Sequence, residues 1–346
     1  MSKGGRQTCV VGMGARTPVG LHAAATAAAV RAGISCIGEH PTMVDHAGDP
    51  FMVAMNQEFA VTGRIERMAQ LATSALSEAL SQLPGRRRSI QVFLALPEAG
   101  AWFTLRQAAQ LCQQLKAAFP DDRLNIETFL EGNAAGMVAL ERAVAWLGSQ
   151  PDSCCIVGGT DSLIDADVLE TLDEAGHIAS ASHRWGFPPG EGAGMLALCD
   201  PGFAQRHQLW VLGTIASVAT GVEPNRANTE TICVGVGLAD VMRRAALAVS
   251  EPITMQYCDM NGERYREHEF SYAALRVPAA AFVNAVEYVA PVDCWGHVGA
   301  ATAPLLILLP LAHHARGASA GAWPMAWCGS ENGRRGAAVL QLEGSP

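Results

Sequence analysis

Two stretches of this chain are helical in length but apolar on nearly every face, and they restrict its fold more than any other feature. One is Ala134–Leu147, AAGMVALERAVAWL; the other follows His297 and contains Gly299–Ala312, GAATAPLLILLPLA. A helix without a polar stripe has no side to turn to water and must lie between other layers. The second run is too short for a confident membrane span and carries two prolines, so it reads as a buried core helix. The first sits inside a longer unit, Leu124–Gly159. This reads as a strand (Leu124–Phe129), a tight Gly-Asn turn, the helix, a loop, and a buried strand Cys154–Val157 that runs into Gly158-Gly159.

A hydrophobic fraction of 49% against 16% charged residues, over 346 residues, supports many elements covered on both sides. A net charge of −9 argues against nucleic acid as the main partner, since phosphate binding needs a clustered positive field. Arg86-Arg87-Arg88 reads as a solvated loop. The ten cysteines lack C-x-x-C spacing and lie mostly in apolar runs, the usage of small buried hydrophobes in a reducing compartment. Neither a disulfide framework, a metal site nor a cofactor is expected. The opening MSKGGRQT leads straight into a strand without a signal peptide, and the expectation is a cytoplasmic protein with no membrane span.

In chain order, Arg6–Gly38 reads as strand, loop, helix and small-residue turn. Its Gly12-x-Gly14 lacks the third glycine of a dinucleotide motif, which Thr17 replaces. Ile65–Leu83 is an amphipathic helix, Ile90–Leu96 an apolar strand and Thr104–Phe119 a helix. Asp161–Glu174 holds six acids in fourteen residues and reads as a solvated loop and helix face. Arg184–Gly194, RWGFPPGEGAG, turns into the strand Met195–Cys199. A second half follows: strand Leu209–Val218, helix Thr229–Ser250, strand Thr254–Asp259, a helix, strand-like Ala279–Phe282, the apolar helix, and strands Pro324–Cys328 and Ala337–Leu342. The class is α/β.

Several of these segments resemble the β-ketoacyl-acyl carrier protein synthases of the thiolase superfamily. Gly12–Gly20 is similar to their opening V-x-G-x-G-x-x-[ST]-P-x-G. Gly136 and Gly158-Gly159 fall on the glycines around their active-site helix, and Arg184–Gly194 matches R-D-G-F-x-x-G-E-G-A-G with Trp185 in place of the acid. The resemblance implies a thiolase-like fold of two duplicated βαβαβαββ halves in a five-layer αβαβα arrangement. The halves are read as 1–205 and 206–346 in one compact unit.

It also implies where chemistry should lie. The nucleophilic cysteine of A-C-x-x-G falls on Asn133, the first catalytic histidine of N-A-H-G-T on Asn261, and the second, in K-x-x-x-G-H-x-x-G-A-A, on His297. The lysine of that motif falls on Val292. The glycine-rich gating loop reads Gly329–Gly336 as a charged, polar turn, and its phenylalanine is not assignable. An amide cannot form a thioester, and asparagine cannot shuttle a proton. A lone histidine beside an apolar helix reads first as a core residue. The chain also looks shorter than such synthases by several dozen residues.

The expected function is therefore a catalytically inactive, ketosynthase-like scaffold or accessory protein. It is expected to form a homodimer through Leu124–Phe129, whose Leu124, Ile126 and Phe129 fit burial. Shortened chains of this kind are associated with bacterial type VI secretion clusters, which makes an effector or adaptor protein one expected partner. The alternatives are a chain-length-factor-like subunit paired with an active ketosynthase, with decarboxylation as a variant, and an atypical acyltransferase using His297. Acyl carrier protein is left open as a partner.

Overall fold

Antiparallel pairing of Thr8–Val10 with Gly213–Ile215 joins two similar halves of the chain into one ten-stranded sheet. The structure is a computed structural model describing residues 7–61, 63–85, 88–181, 183–226, 229, 231–318 and 321–342. The first half runs β1 (Thr8–Arg16), α1 (Ala23–Arg31), a hairpin of β2 (Ile37–Val44) and β3 (Pro50–Ala54), α2 (Arg64–Ser81), β4 (Ser89–Leu96) and α3 (Leu105–Ala118). It continues through β5 (Arg123–Leu130), α4 (Ala135–Ser149), β6 (Cys154–Ser162), α5 (Ala166–Glu174), β7 (Glu191–Cys199) and α6 (Pro201–Arg206). The second half runs β8 (Gly213–Val222), α7 (Val236–Leu247), β9 (Met255–Cys258), α8 (Arg264–Arg276) and β10 (Tyr288–Val289). It closes with α9 (Val292–Trp295), α10 (Thr302–His314), β11 (Pro324–Gly329) and β12 (Arg334–Gln341).

The strand orders β5-β4-β6-β7-β1 and β10-β9-β11-β12-β8 are the same permutation, which is the signature of a duplication. In each half the first three strands of that order are parallel and the last joins are antiparallel. Beyond the shared pattern the first half carries α1, the β2–β3 hairpin, α5 and α6, and the second half the short α9.

Five layers follow from three apolar clusters. On one outer side α2 and α3 place Met68, Leu71, Leu76 and Leu111 against Val92, Leu94 and Met195. On the other, α7 and α8 set Val241, Met242 and Phe270 against Met325, Trp327 and Val339. Between them α4 and α10 pack Met137, Leu140, Leu305 and Leu308 against strands of both halves, including Val157, Leu196, Cys328 and Leu340. Period-2 alternation explains the unbroken apolar run of β4, where Val92 and Leu94 face the outer layer and Phe93 the inner one. Two matched glycines mark close approaches in the middle layer. A Cβ on Gly159 would lie 2.2 Å from the Ala300 carbonyl oxygen, and one on Gly136 2.8 Å from Ala303 and Pro304.

The two β layers are continuous, because β1 and β8 share an edge. Several sequence expectations are corrected. Ala279–Ala281 is a 3₁₀ turn, and the strand of that region is β10. The helix expected from Thr229 starts at Val236, because Gly235 takes φ 65° just before it. Of the acids in Asp161–Glu174, Asp161 and Asp173 are buried: Asp161 binds Arg64 and Asp173 binds His46. Arg88 is pinned by Asp122 at 2.8 Å, while Arg86 and Arg87 lie outside the described residues. Among the described residues no helix is long and apolar enough to cross a membrane.

Candidate functional site

Three separate backbone irregularities converge at one end of α4. Gly132, at φ 68°, lets the chain leave β5 and enter a 3₁₀ turn, Gly132–Ala134, which delivers Asn133 to the head of the helix at 7% exposure. Beyond β9 an irregular stretch containing Gly262, at φ 99°, presents Asp259, Asn261 and Glu263, and the first turn of α8 adds Arg266. His297 stands between α9 and the 3₁₀ turn Gly299–Ala301. Its N–H donates to the Pro188 carbonyl at 2.7 Å and its carbonyl accepts from Gly190 N–H at 2.9 Å, which ties it to the loop before β7.

The side chains meet around the His297 ring. Asn133 Nδ2 is 3.3 Å from Nε2 and Asn261 Nδ2 is 3.3 Å from Nδ1. The orientation of Asn261 is fixed by Glu263: its Nδ2 donates to Oε2 at 2.8 Å and its Oδ1 accepts from the Glu263 N–H at 3.1 Å. Nδ1 is then the acceptor for Asn261, while Asn133 Nδ2, which donates to Asp259, turns an N–H toward Nε2 as well. Phe187 covers the ring at 4.4 Å between centroids. Asn133 Nδ2 is also 3.4 Å from Asp259 Oδ2.

Buried charge organises this cluster. Arg266 donates to Asp259 at 2.9 Å, Glu263 at 3.2 Å and Glu331 at 3.0 Å, so one guanidinium serves three carboxylates. Burial opposes ionisation of Glu263, but the hydrogen bond of His177, the charge of Arg266 and the Asn261 amide outweigh it and hold its pKa at about 2. His177 is shifted up in return, chiefly by that hydrogen bond. Burial, and after it the Arg266 charge, pushes the His297 pKa down against the pull of Glu263 and Asp259. The ring is therefore neutral at pH 7. A base held neutral can accept a proton in principle, but carboxamides face both of its nitrogens.

A cavity of about 170 Å³ opens onto Asn133 and His297, walled by Trp102, Phe103, Leu163 and Phe187. The site is thus a pocket, not a collapsed core. Val292 makes no polar contact there and borders, with Asp259, Asn261 and His297, a small void of about 20 Å³. The loop expected as a charged, polar turn is tied down: Ser330 Oγ accepts from Ala134 N–H at 2.8 Å, Glu331 binds Arg266, Arg334 pairs with Glu131, and Arg335 is buried against Glu269 at 2.7 Å. The thiol nearest Asn133 is Cys328, whose Sγ donates to the Asn133 carbonyl at 3.4 Å. Burial pushes its pKa well up, so it stays a thiol.

The structure thus brings Asn133, Asn261 and His297 together, with Val292 beside Asn261 and His297 on a small void. Sequence reasoning missed Asp259, Glu263, Arg266, Phe187 and His177. One local signal for part of this set was present: Glu263 and Arg266 stand at i, i+3 directly after the stretch that holds Asn261.

No protein-family model matches this sequence, and no curated protein matches it either. Solved structures do. The ishigamide ketosynthase/chain length factor aligns with TM-score 0.74 and 19% identity, covering 98% of this chain and 100% of that one. A type II polyketide synthase structure, AntDE:AntF, described as an acyl-carrier protein in complex with its ketosynthase bound to the hexaketide, aligns with TM-score 0.80 and 13% identity over 99% and 100%. The ketosynthase from module 6 of the bacillaene synthase of Bacillus subtilis 168 aligns with TM-score 0.76 and 13% identity over 98% of this chain and 72% of that one. The chain has the ketosynthase, thiolase-like fold.

Proposed function

We propose that this chain is a ketosynthase-fold protein that does not condense acyl groups and acts as a binding partner. The observation that carries this is the state of the α4 head. Asn133 stands where the resemblance puts a nucleophilic cysteine, and its carboxamide is engaged by His297 and Asp259. Covalent catalysis needs a nucleophile that can be activated. Asn133 has none to offer, and the neighbouring Cys328 is a buried thiol spent on a backbone carbonyl. The amide at Asn261 can polarise a carbonyl but cannot move a proton.

The test is turnover by the purified protein with malonyl and longer acyl thioesters, on coenzyme A and on carrier protein, read by mass spectrometry. No product and no acyl adduct is expected. Condensed or decarboxylated product that disappears in His297→Ala overturns the proposal and makes the chain an acyltransferase or decarboxylase with displaced chemistry.

A second reading, a chain-length-factor-like subunit of a ketosynthase heterodimer, is favoured by the alignment over all of a ketosynthase/chain length factor chain. Purification decides between the two. A homodimer that is soluble alone supports an accessory protein, with a type VI secretion effector or adaptor as the partner class to be captured. Solubility only with a co-expressed ketosynthase supports the heterodimer.

A further inference from the structure

Beside the stretch that carries Asn261 and Glu263 lies a second and larger concavity of about 480 Å³. It is bordered by Trp185, Glu267, Tyr288, Val292 and Asp293, and among the described residues its lining has three carboxylates and no lysine, arginine or histidine. Glu263 is spent on His177, Arg266 and Asn261. Glu267 and Asp293 are exposed and, among the described residues, enter no ion pair. Trp185 is 54% exposed and already carries the Arg264 guanidinium 4.5 Å from its ring centroid, so its indole serves as a platform for that group.

The concavity adjoins an open sheet edge. β10 is the last strand of the ten-stranded sheet, paired with β9 on one side only. The segment leading into it is pinned by Gln256, whose Nε2 donates to the carbonyls of Ala285, at 3.0 Å, and of Asn284 and Glu287, at 3.4 Å. That segment leaves Val283 and Val286 about two-thirds exposed, at 68% and 67%, and Tyr288 is 38% exposed. A fixed edge with free backbone groups, bare apolar side chains and an acidic aromatic groove beside it can pair with an added strand that carries positive charge.

We propose that this groove docks an extended basic segment of a partner protein. Its backbone adds to the β10 edge, its apolar side chains cover Val283 and Val286, and an arginine reaches Trp185 between Glu267 and Asp293. The proposal does not depend on whether the Asn133 site turns over.

The test uses the whole protein and a synthetic probe, acetyl-Val-Arg-Val-Arg-Val-amide, by isothermal titration calorimetry, with a second peptide carrying citrulline in place of both arginines. Micromolar to submillimolar binding of the arginine peptide is expected, weakened at least tenfold in the citrulline peptide and in Glu267→Gln/Asp293→Asn. Trp185→Ala should weaken it by a similar factor. Glu170→Gln/Glu174→Gln, which removes the same charge from the exposed face of α5, should leave binding unchanged. Hydrogen exchange at residues 286–290 should slow on binding. Equal binding of both peptides, equal loss in the α5 variant, binding without protection at 286–290, or no binding up to millimolar peptide each overturns the proposal. Unchanged melting of the variants guards against loss by unfolding.

Discussion

The side-chain amide of Asn133 stands 3.3 Å from Nε2 of His297, a residue 164 positions later in the chain. Replacing that amide with a thiol tests what the surroundings can do. In Asn133→Cys the new sulfur sits at the head of α4, where the helix N-terminus lowers a thiol pKa. Iodoacetamide should then modify position 133 within minutes, while in the unaltered protein labelling is confined to the exposed Cys36. Condensation should stay absent, because Asn261 supplies no second imidazole. A condensing Asn133→Cys variant would show that the rest of the site is complete.

Arg266 bridges Asp259, Glu263 and Glu331, and among the described residues no other arginine or lysine pairs with any of the three. Arg266→Met removes the guanidinium that the buried carboxylates of Asp259 and Glu263 share, and removal of one partner from such a cluster costs about 3–5 kcal/mol. Urea denaturation should show that loss at unchanged m-value. A change below about 1 kcal/mol would mean that water reaches the cluster.

The His297 ring gives a stability dependence with a definite sign. Its pKa in the folded protein is below the ordinary 6.5, so below pH 6.5 the unfolded chain binds a proton that the folded one refuses. The neutral ring therefore costs the fold nothing above pH 6.5, and stability falls as pH drops from 6.5 toward the depressed folded value. His177, shifted up by Glu263, acts in the opposite sense: its contribution is complete below pH 6.5 and is lost as pH rises through its folded pKa. Thermal melts of His297→Gln should lose the acid-side decline, and melts of His177→Gln the alkaline-side one. Parallel pH profiles for all three proteins would refute both assignments.

β5 is the other open edge of the ten-stranded sheet, and Ile126 on it is only partly buried. If two copies pair through this edge, Ile126→Asp places a charge in the interface and should yield monomers or aggregates in sedimentation velocity. An unchanged dimer sends the interface elsewhere.

Gly159 and Gly148 make a matched pair. Gly159→Ala drives a methyl into the Ala300 carbonyl and should cost at least the ~3 kcal/mol at the upper end of ordinary overpacking. Gly148→Ala, in α4 with nothing within 4 Å of the added carbon, should stabilise by roughly 0.5–1 kcal/mol. Equal effects at the two positions would mean that the helix ends move freely.

Much of the framework was readable in the residues. The all-apolar runs placed α4 and α10 in the middle layer, the alternating elements gave the α/β class, and the family glycines Gly136 and Gly159 stand where α4 and β6 closely approach residues 300–304. These are local properties, since periodicity and small side chains act over one or two turns of chain. The same local logic went astray where charge was concerned. Six acids between Asp161 and Glu174 look solvated in one dimension, yet Asp161 and Asp173 turn inward to partners nearly a hundred residues or more away.

By itself the sequence determined the layers of this protein and the residue types at the head of α4: an amide at Asn133, an amide at Asn261, an imidazole at His297. Only the tertiary structure decided that these three share one ring-centred contact and that Arg266 binds the acids behind them. The physical reason is that electrostatic and hydrogen-bond partners are chosen by distance in space. Here that distance is set by how two duplicated halves close on each other, which no spacing within either half encodes.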